Sequence, residues 1–387
     1  MLAFIAKELI TPTQTVEHPL LLVVDGRIVE IANRAERTVP AGVRTLDLCD
    51  SVIAPGYIDL HIHGGAGFDV MDDNAAALPA LEFLLARHGV TSYYPTTVTA
   101  HLDTTMRALE RLAEAIESGD KNVDHRARPL GIHLEGPFIS HLRKGVHPAA
   151  DLLPPKLETF DRFWQAARGH IRMMTIAPEL EGAAELISEA TRRGVCVSLG
   201  HSDADLEATQ RGVAAGARHA THTFNAMRPL DHRRPGILGA VLTDNRLSAD
   251  MIVDGVHLDP AIVSLVANAK GPEQTVLITD ATAATGMPDG RYRLGSIEVD
   301  VKDGKCMADG KLAGSVLTMD KAVRNLTCFA GWSLSQAVAA ASRNPARVAR
   351  LDNKGVLAAG ADADFVVLNP AGEVLRTFVG GVECSTN

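Results

Sequence analysis

Between residues 57 and 341, short apolar runs alternate with longer stretches of helical periodicity, and no other feature constrains the fold as strongly. Strand-like runs fall at 57–63, 91–98, 129–135, 171–176, 195–200, 218–223, 249–254 and 276–280. Helical patterns occupy 75–88, 104–117, 183–193, 205–215, 260–269 and 334–341. Parallel strands require a long crossover, usually a helix. Eight such units therefore predict an α/β fold, a closed (β/α)8 barrel of the TIM type. A doubly wound open sheet is the rival, but no G-x-G-x-x-G follows an early strand.

The two ends of the chain read differently. Residues 2–55 look all-β, with a hairpin at 20–31 turning on Asp25-Gly26, a type I′ signal. A second strand pair lies at 364–368 and 374–379, around Asn369-Pro370-Ala371-Gly372. Neither end carries enough apolar surface to fold by itself. The expectation is one small β-sandwich domain built from 1–55 and 355–387, with the barrel over 56–354. Residues 290–314, with Asp303-Gly304 and Asp309-Gly310, read as a hairpin inserted after the eighth strand.

Composition excludes several classes of function. A net charge of −9 argues against a nucleic-acid-binding surface, although a local basic pocket for a small anion remains compatible with it. No apolar run approaches the ~20 residues of a membrane span, and Met1 to Lys7 lack the pattern of a signal peptide. The five cysteines (Cys49, Cys196, Cys306, Cys328, Cys384) are scattered and odd in number, which fits a reduced, cytoplasmic protein without disulfides.

Barrel active sites lie at the C-terminal ends of the strands, and polar residues gather there. His61 and His63 close strand one, Glu135 strand three, His201 strand five, His222 strand six and Asp280 strand eight. Side chains at i and i+2 of a strand share a face, so both imidazoles of His61-Ile62-His63 converge, with Gly64-Gly65 leaving the spot open. Burying six such donors without a partner would cost several kcal/mol. A divalent ion is the natural partner, and imidazole with carboxylate suits Zn, Fe, Mn or Co. Glu135, His201 and His222 make an open three-ligand site. His61 and His63 would hold a second ion, with Glu135 or Asp280 between the two. Asp280 is placed to take a proton from a hydrolytic water and return it to a leaving group. His133 reads as a buried structural histidine, Asp59 as a residue satisfying groups behind the ligands, and His88, His101, His125, His170 and His219 as surface or packing residues. The run Gly64 to Gly67 lacks the Lys and Ser/Thr of a phosphate-binding loop.

These segments resemble the amidohydrolase superfamily and, within it, the amino-sugar-phosphate deacetylases. The resemblance rests on Ala54 to Gly64, His133-Leu134-Glu135-Gly136-Pro137-Phe138, Gly200-His201-Ser202-Asp203-Ala204, Thr221 to Met227, Val253 to His257, Thr279-Asp280-Ala281, Leu312-Ala313-Gly314-Ser315 and Gly360 to Asp364. It implies removal of the acetyl group from N-acetylglucosamine 6-phosphate, with zinc the first choice of metal and one or two ions bound. It also implies that Glu135, His201 and His222 hold metal, that Asp280 is the acid/base, and that His147 polarises the amide carbonyl. Asn225 and the Ala226 amide would bind phosphate, helped by Arg233 and His257. In relatives the last two reach across a dimer interface, so a homodimer is implied. His232-Arg233-Arg234 is the basic cluster of the strand-six loop, which suits a phosphate. The galactosamine epimer is an alternative substrate. A ring-opening hydrolase of the dihydroorotase kind would bridge its metals with a carboxylated lysine where this chain has Glu135. A non-catalytic assembly protein would be expected to lose ligands, and none is missing.

Overall fold

In a computed structural model, which describes residues 1–119 and 126–384, the alternating region closes into a parallel barrel. Its strands are Tyr57–Ile62, Val90–Thr97, Ile132–Glu135, Ile171–Ile176, Cys196–Leu199, His219–Ala220, Ser248–Ile252 and Thr275–Ile278. Strand three begins early, at Arg128–Pro129, where it pairs with strand two before the main run. Strand one returns to strand eight through the Ile62–Ala281 bridge, with the Asp280 amide donating to the His61 carbonyl at 2.9 Å. Buried Asp59 reinforces this seam by accepting from the Thr279 hydroxyl at 2.5 Å. Burial pushes the Asp59 carboxyl up to about 6.

Local signals account for the helices that pack outside. Asp205 caps Leu206–Ala215 by accepting the Ala208 amide, and Gly216 ends it. Ser333 and Gln336 form a capping box on Leu334–Ala341. The 260–269 helix continues to Gln274 across a break at Gly271-Pro272, where the sequence pattern stops because proline cannot continue a regular helix. Leu157–Ala166, Gly236–Thr243, Met319–Ala330 and Arg343–Val348 are further helices. Gly236–Thr243 is buried almost throughout and so shows no amphipathic period.

The ends pair as expected. A four-stranded sheet of Leu2–Ile5, Pro19–Val24, Arg27–Asn33 and Arg44–Asp47 faces a six-stranded sheet. That second sheet joins Glu8–Ile10, Thr15–Glu17 and Val52–Pro55 to the C-terminal strands Phe365–Leu368, Val374–Val379 and Val382–Glu383. Both Asp25 and Gly26 have positive φ (48° and 76°), as a type I′ turn requires. Phe4 from one end meets Phe365 and Phe378 from the other at 4.9 and 5.3 Å between ring centroids.

Two expectations need correction. The insertion is a four-stranded antiparallel meander (Gly290–Leu294, Ile297–Lys302, Lys305–Ala308 and Lys311–Leu312) and not a single hairpin. Its two Asp-Gly pairs each make a separate tight turn with positive φ. Gly64 and Gly65 do not open the site. They are buried in a short hairpin with Phe68–Asp69, and a Cβ on Gly64 would lie 2.3 Å from the Phe68 carbonyl oxygen.

Because one aromatic cluster joins both termini, Phe378→Ala should destabilise the protein by about 3–5 kcal/mol. A urea denaturation midpoint that hardly moves would mean the two ends do not share a core.

Candidate metal-dependent active site

Six donors meet at the C-terminal mouth of the barrel. Glu135 Oε1 lies 3.1 Å from His201 Nε2 and 3.0 Å from His222 Nε2, and those two nitrogens are 3.1 Å apart. His61 and His63 bring their Nε2 atoms within 3.2 Å of each other. Asp280 Oδ1 stands 3.2 Å from His63 Nε2, and Glu135 Oε2 stands 3.3 Å from it. All six residues are buried.

The outer ring nitrogens reveal what the inner ones offer. Nδ1 of His63 meets the Thr96 carbonyl at 3.0 Å, that of His201 meets the Arg143 carbonyl at 2.9 Å, and that of His222 meets the Asn225 carbonyl at 3.1 Å. A carbonyl only accepts, so each Nδ1 carries a proton and each Nε2 is left facing inward, where the neutral ring offers a cation its lone pair. Lone pairs and two carboxylates then crowd one small volume, an arrangement that repels itself unless positive charge sits within it. Metal-binding histidines are commonly oriented this way. The donor set therefore fits a divalent cation.

His147 is different. It lies within ligand range of Glu135 and His201, yet its Nδ1 accepts the Thr99 amide at 3.3 Å, with the Thr99 hydroxyl at 2.8 Å. Its proton is therefore on Nε2, which stands 3.6 Å from Glu135 Oε2. His147 presents a donor where the others present acceptors.

The same crowding appears in the acid–base behaviour of the cluster. Burial lowers His201 to about 4, its neighbouring imidazoles adding to the effect. Burial also acts against charge on His222, but the Glu135 carboxylate outweighs it and raises the ring to about 9. Burial would raise both acids, yet the surrounding imidazoles hold Asp280 at about 2 and Glu135 well below the usual carboxylate range.

Backbone geometry aims these side chains. His201, His222 and Asp280 have φ of 47°, 30° and 50°, in the left-handed region that non-glycine residues avoid. Each costs about 1 kcal/mol or more. The sharp turn throws a residue just past the strand end into the mouth. Asp250 in strand seven accepts the His222 amide and is itself held by His219 Nε2 at 3.0 Å. His219 is thus a buried polar partner supporting a ligand. Nothing in the sequence pattern marked Asp250 beyond a lone acid in an apolar strand. Beneath the cluster, His133 bridges the Leu60 carbonyl and the Thr175 hydroxyl at 3.0 and 2.8 Å. His88 pairs with Asp320, His170 pairs with Glu117 and His101 is exposed, whereas His125 lies outside the described residues.

A cavity of about 240 Å³ opens over the cluster, lined by His147, Asn225, Ala226 and His257 among others. The Asn225 amide nitrogen is buried without a hydrogen-bond partner among the described residues. His257, held to Asp254 at 2.7 Å, lines the cavity of its own chain. Arg233 is exposed and does not line the cavity. Lys311 and Leu312, from the inserted meander, do line it; the resemblance includes Leu312 but gives neither residue a role, because their place depends on how the insertion packs.

The profile of the amidohydrolase family matches residues 52–384. The N-acetylglucosamine-6-phosphate deacetylase of Lysinibacillus sphaericus is 38% identical over 347 residues, 89% of this chain and 88% of that protein. An N-acetylgalactosamine-6-phosphate deacetylase from Escherichia coli O157:H7 is 39% identical over 378 residues, 97% of each chain. Among solved structures, a mutant N-acetyl-D-glucosamine-6-phosphate deacetylase from Mycobacterium smegmatis, in complex with N-acetyl-D-glucosamine-6-phosphate, superposes with a TM-score of 0.92. It is 36% identical and covers 99% of this chain and 98% of its own.

If Asp250 steadies His222, then Asp250→Asn should weaken metal retention by about 10–100-fold in a chelator competition while the protein stays folded. An unchanged chelator midpoint would remove Asp250 from this role.

Proposed function

The chain belongs to the amidohydrolase family, and from that premise we propose that it hydrolyses the 2-acetamido group of N-acetylglucosamine 6-phosphate to acetate and glucosamine 6-phosphate. One observation carries the reading: His63, His201 and His222 turn acceptor nitrogens inward beside Glu135 and Asp280, while His147 alone turns a donor inward. Glu135, His201 and His222 would hold a divalent ion, zinc by preference, and His61 and His63 with Asp280 would hold a second. Such an ion supplies a Lewis acid that polarises the amide carbonyl and makes water a better nucleophile.

The chain's own residues do the rest. Asp280 takes the proton of the attacking water as the C–O bond forms, then delivers it to the amine nitrogen as the C–N bond breaks. The protonated Nε2 of His147 donates to the carbonyl oxygen as negative charge grows there. Asn225, the Ala226 amide and His257 hold the 6-phosphate. Arg233, exposed beside the exposed Leu230, would reach the phosphate of a neighbouring subunit in a homodimer. The five cysteines are free of disulfides, which supports a cytoplasmic setting. The galactosamine epimer is a second reading, favoured by the similarity to the Escherichia coli protein.

Acetate release from metal-loaded protein should strongly favour phosphorylated over unphosphorylated N-acetylglucosamine, and the two 6-phosphate epimers compared side by side will assign the sugar. Equal rates with and without phosphate would overturn the substrate assignment. Asp280→Asn should lower kcat by about 10²–10⁴-fold. A variant that keeps near-normal turnover would remove Asp280 as the proton carrier.

A further inference from the structure

If the substrate is an amino-sugar phosphate, as proposed above, its phosphate calls for a cation of its own. The ions proposed for Glu135 and Asp280 belong to the amide end of the cavity. Arg233 lies outside the lining. Lys311 is the one Lys or Arg among the residues that line the cavity, and no ion pair among the described residues engages it. We propose that Lys311 is the phosphate-binding cation this chain supplies to its own active site, and that it sets the preference for phosphorylated over unphosphorylated amino sugars.

The backbone fixes its position from both sides. Asp309 and Gly310, at φ of 48° and 72°, form a two-residue turn, after which Lys311 pairs with Ala308 and Leu312 with Met307. Downstream, the Ser315 amide donates to the Asp280 carbonyl at 2.7 Å and the Ser315 hydroxyl donates to the Thr279 carbonyl at 2.6 Å. Gly314 sits between, with φ of 61°, where a Cβ would lie 2.9 Å from the Asp280 carbonyl oxygen. Only glycine allows so close an approach. Three steps of chain separate Lys311 from Gly314, so their Cα atoms are at most about 11 Å apart. The far end of the meander is also tied down, through the Gly295 amide and the Asp69 carboxylate at 2.7 Å.

This placement suits the substrate's shape. The acetamido group leaves the pyranose at C2 and the phosphate is carried at C6, so the phosphate lies a ring's length from the scissile amide. A lysine on a fixed strand, with a flexible four-carbon stem, recognises phosphate as a point charge over such a span. A lysine merely solvated at the rim would leave selectivity and salt dependence untouched.

The test compares metal-loaded wild type, Lys311→Ala and Lys311→Arg, following acetate release from N-acetylglucosamine 6-phosphate and from N-acetylglucosamine over a range of salt. Lys311→Ala should raise KM for the phosphorylated sugar about tenfold, the loss of one partly exposed charge-assisted contact. Its kcat should stay near wild type, its kcat/KM for the plain sugar should not change, and its salt dependence should flatten. Lys311→Arg should restore most of the preference. Wild-type KM and salt dependence in Lys311→Ala would overturn the proposal alone. So would equal losses on both sugars, or no recovery with arginine, either of which marks a structural role for the strand. If wild type itself shows no preference for phosphate, the substrate reading falls and this proposal falls with it.

Discussion

The site is organised by repulsion held in place. Three imidazoles fixed by backbone carbonyls turn their Nε2 atoms toward two carboxylates, and a proton on His222 or a cation among them offsets the crowding. A flexible surface would relax such a cluster by letting side chains swing into water. Here every donor is rooted in a buried strand end or within two residues of one, so relaxation would mean opening the barrel. The rigid frame converts mutual repulsion into affinity for a cation, because the cost of assembling the donors is met in folding and not at binding.

That rigidity has identifiable sources. Strand one is bound to strand eight through Asp59 and Thr279, close to where His61 and Asp280 emerge. Strand six is bound to strand seven through the His219–Asp250 pair, whose carboxylate also takes the His222 amide. Below the donors, His133, Thr175, Thr221 and Ser198 form a connected chain of hydroxyls and imidazole across four strands. These polar contacts sit where an ordinary barrel would stack aliphatic layers. Fully paired, they add direction that dispersion contacts lack.

Much of this was legible in the chain itself, and for a physical reason. Parallel strands buried on both faces read as continuous apolar runs, so a charged or imidazole side chain at the end of such a run stands out. His61, His63, Glu135, His201, His222 and Asp280 were visible on that ground, and the structure brings all six together. What stayed hidden depends on features with no local signature. The left-handed backbone of His201, His222 and Asp280 follows from strand-end geometry, not from residue type. The opposite tautomer of His147 follows from Thr99, 48 residues away in sequence. Gly64-Gly65 looked like an opening but serves close packing, since glycine answers equally to both demands.

The cavity draws its lining from two parts of the molecule. The barrel supplies every group that would act on the amide, whereas Leu294, Lys311 and Leu312 reach the cavity from the inserted meander. Relatives that act on the gluco and galacto sugars are almost equally similar to this chain, at 38% and 39% identity. The two sugars differ only in configuration at C4, away from the amide carbon. Donors gathered at the amide therefore cannot distinguish them, and neither can a charge that reads the phosphate alone. The choice of epimer must rest on the rest of the cavity wall, to which the insertion and the loops after strands six and seven all contribute.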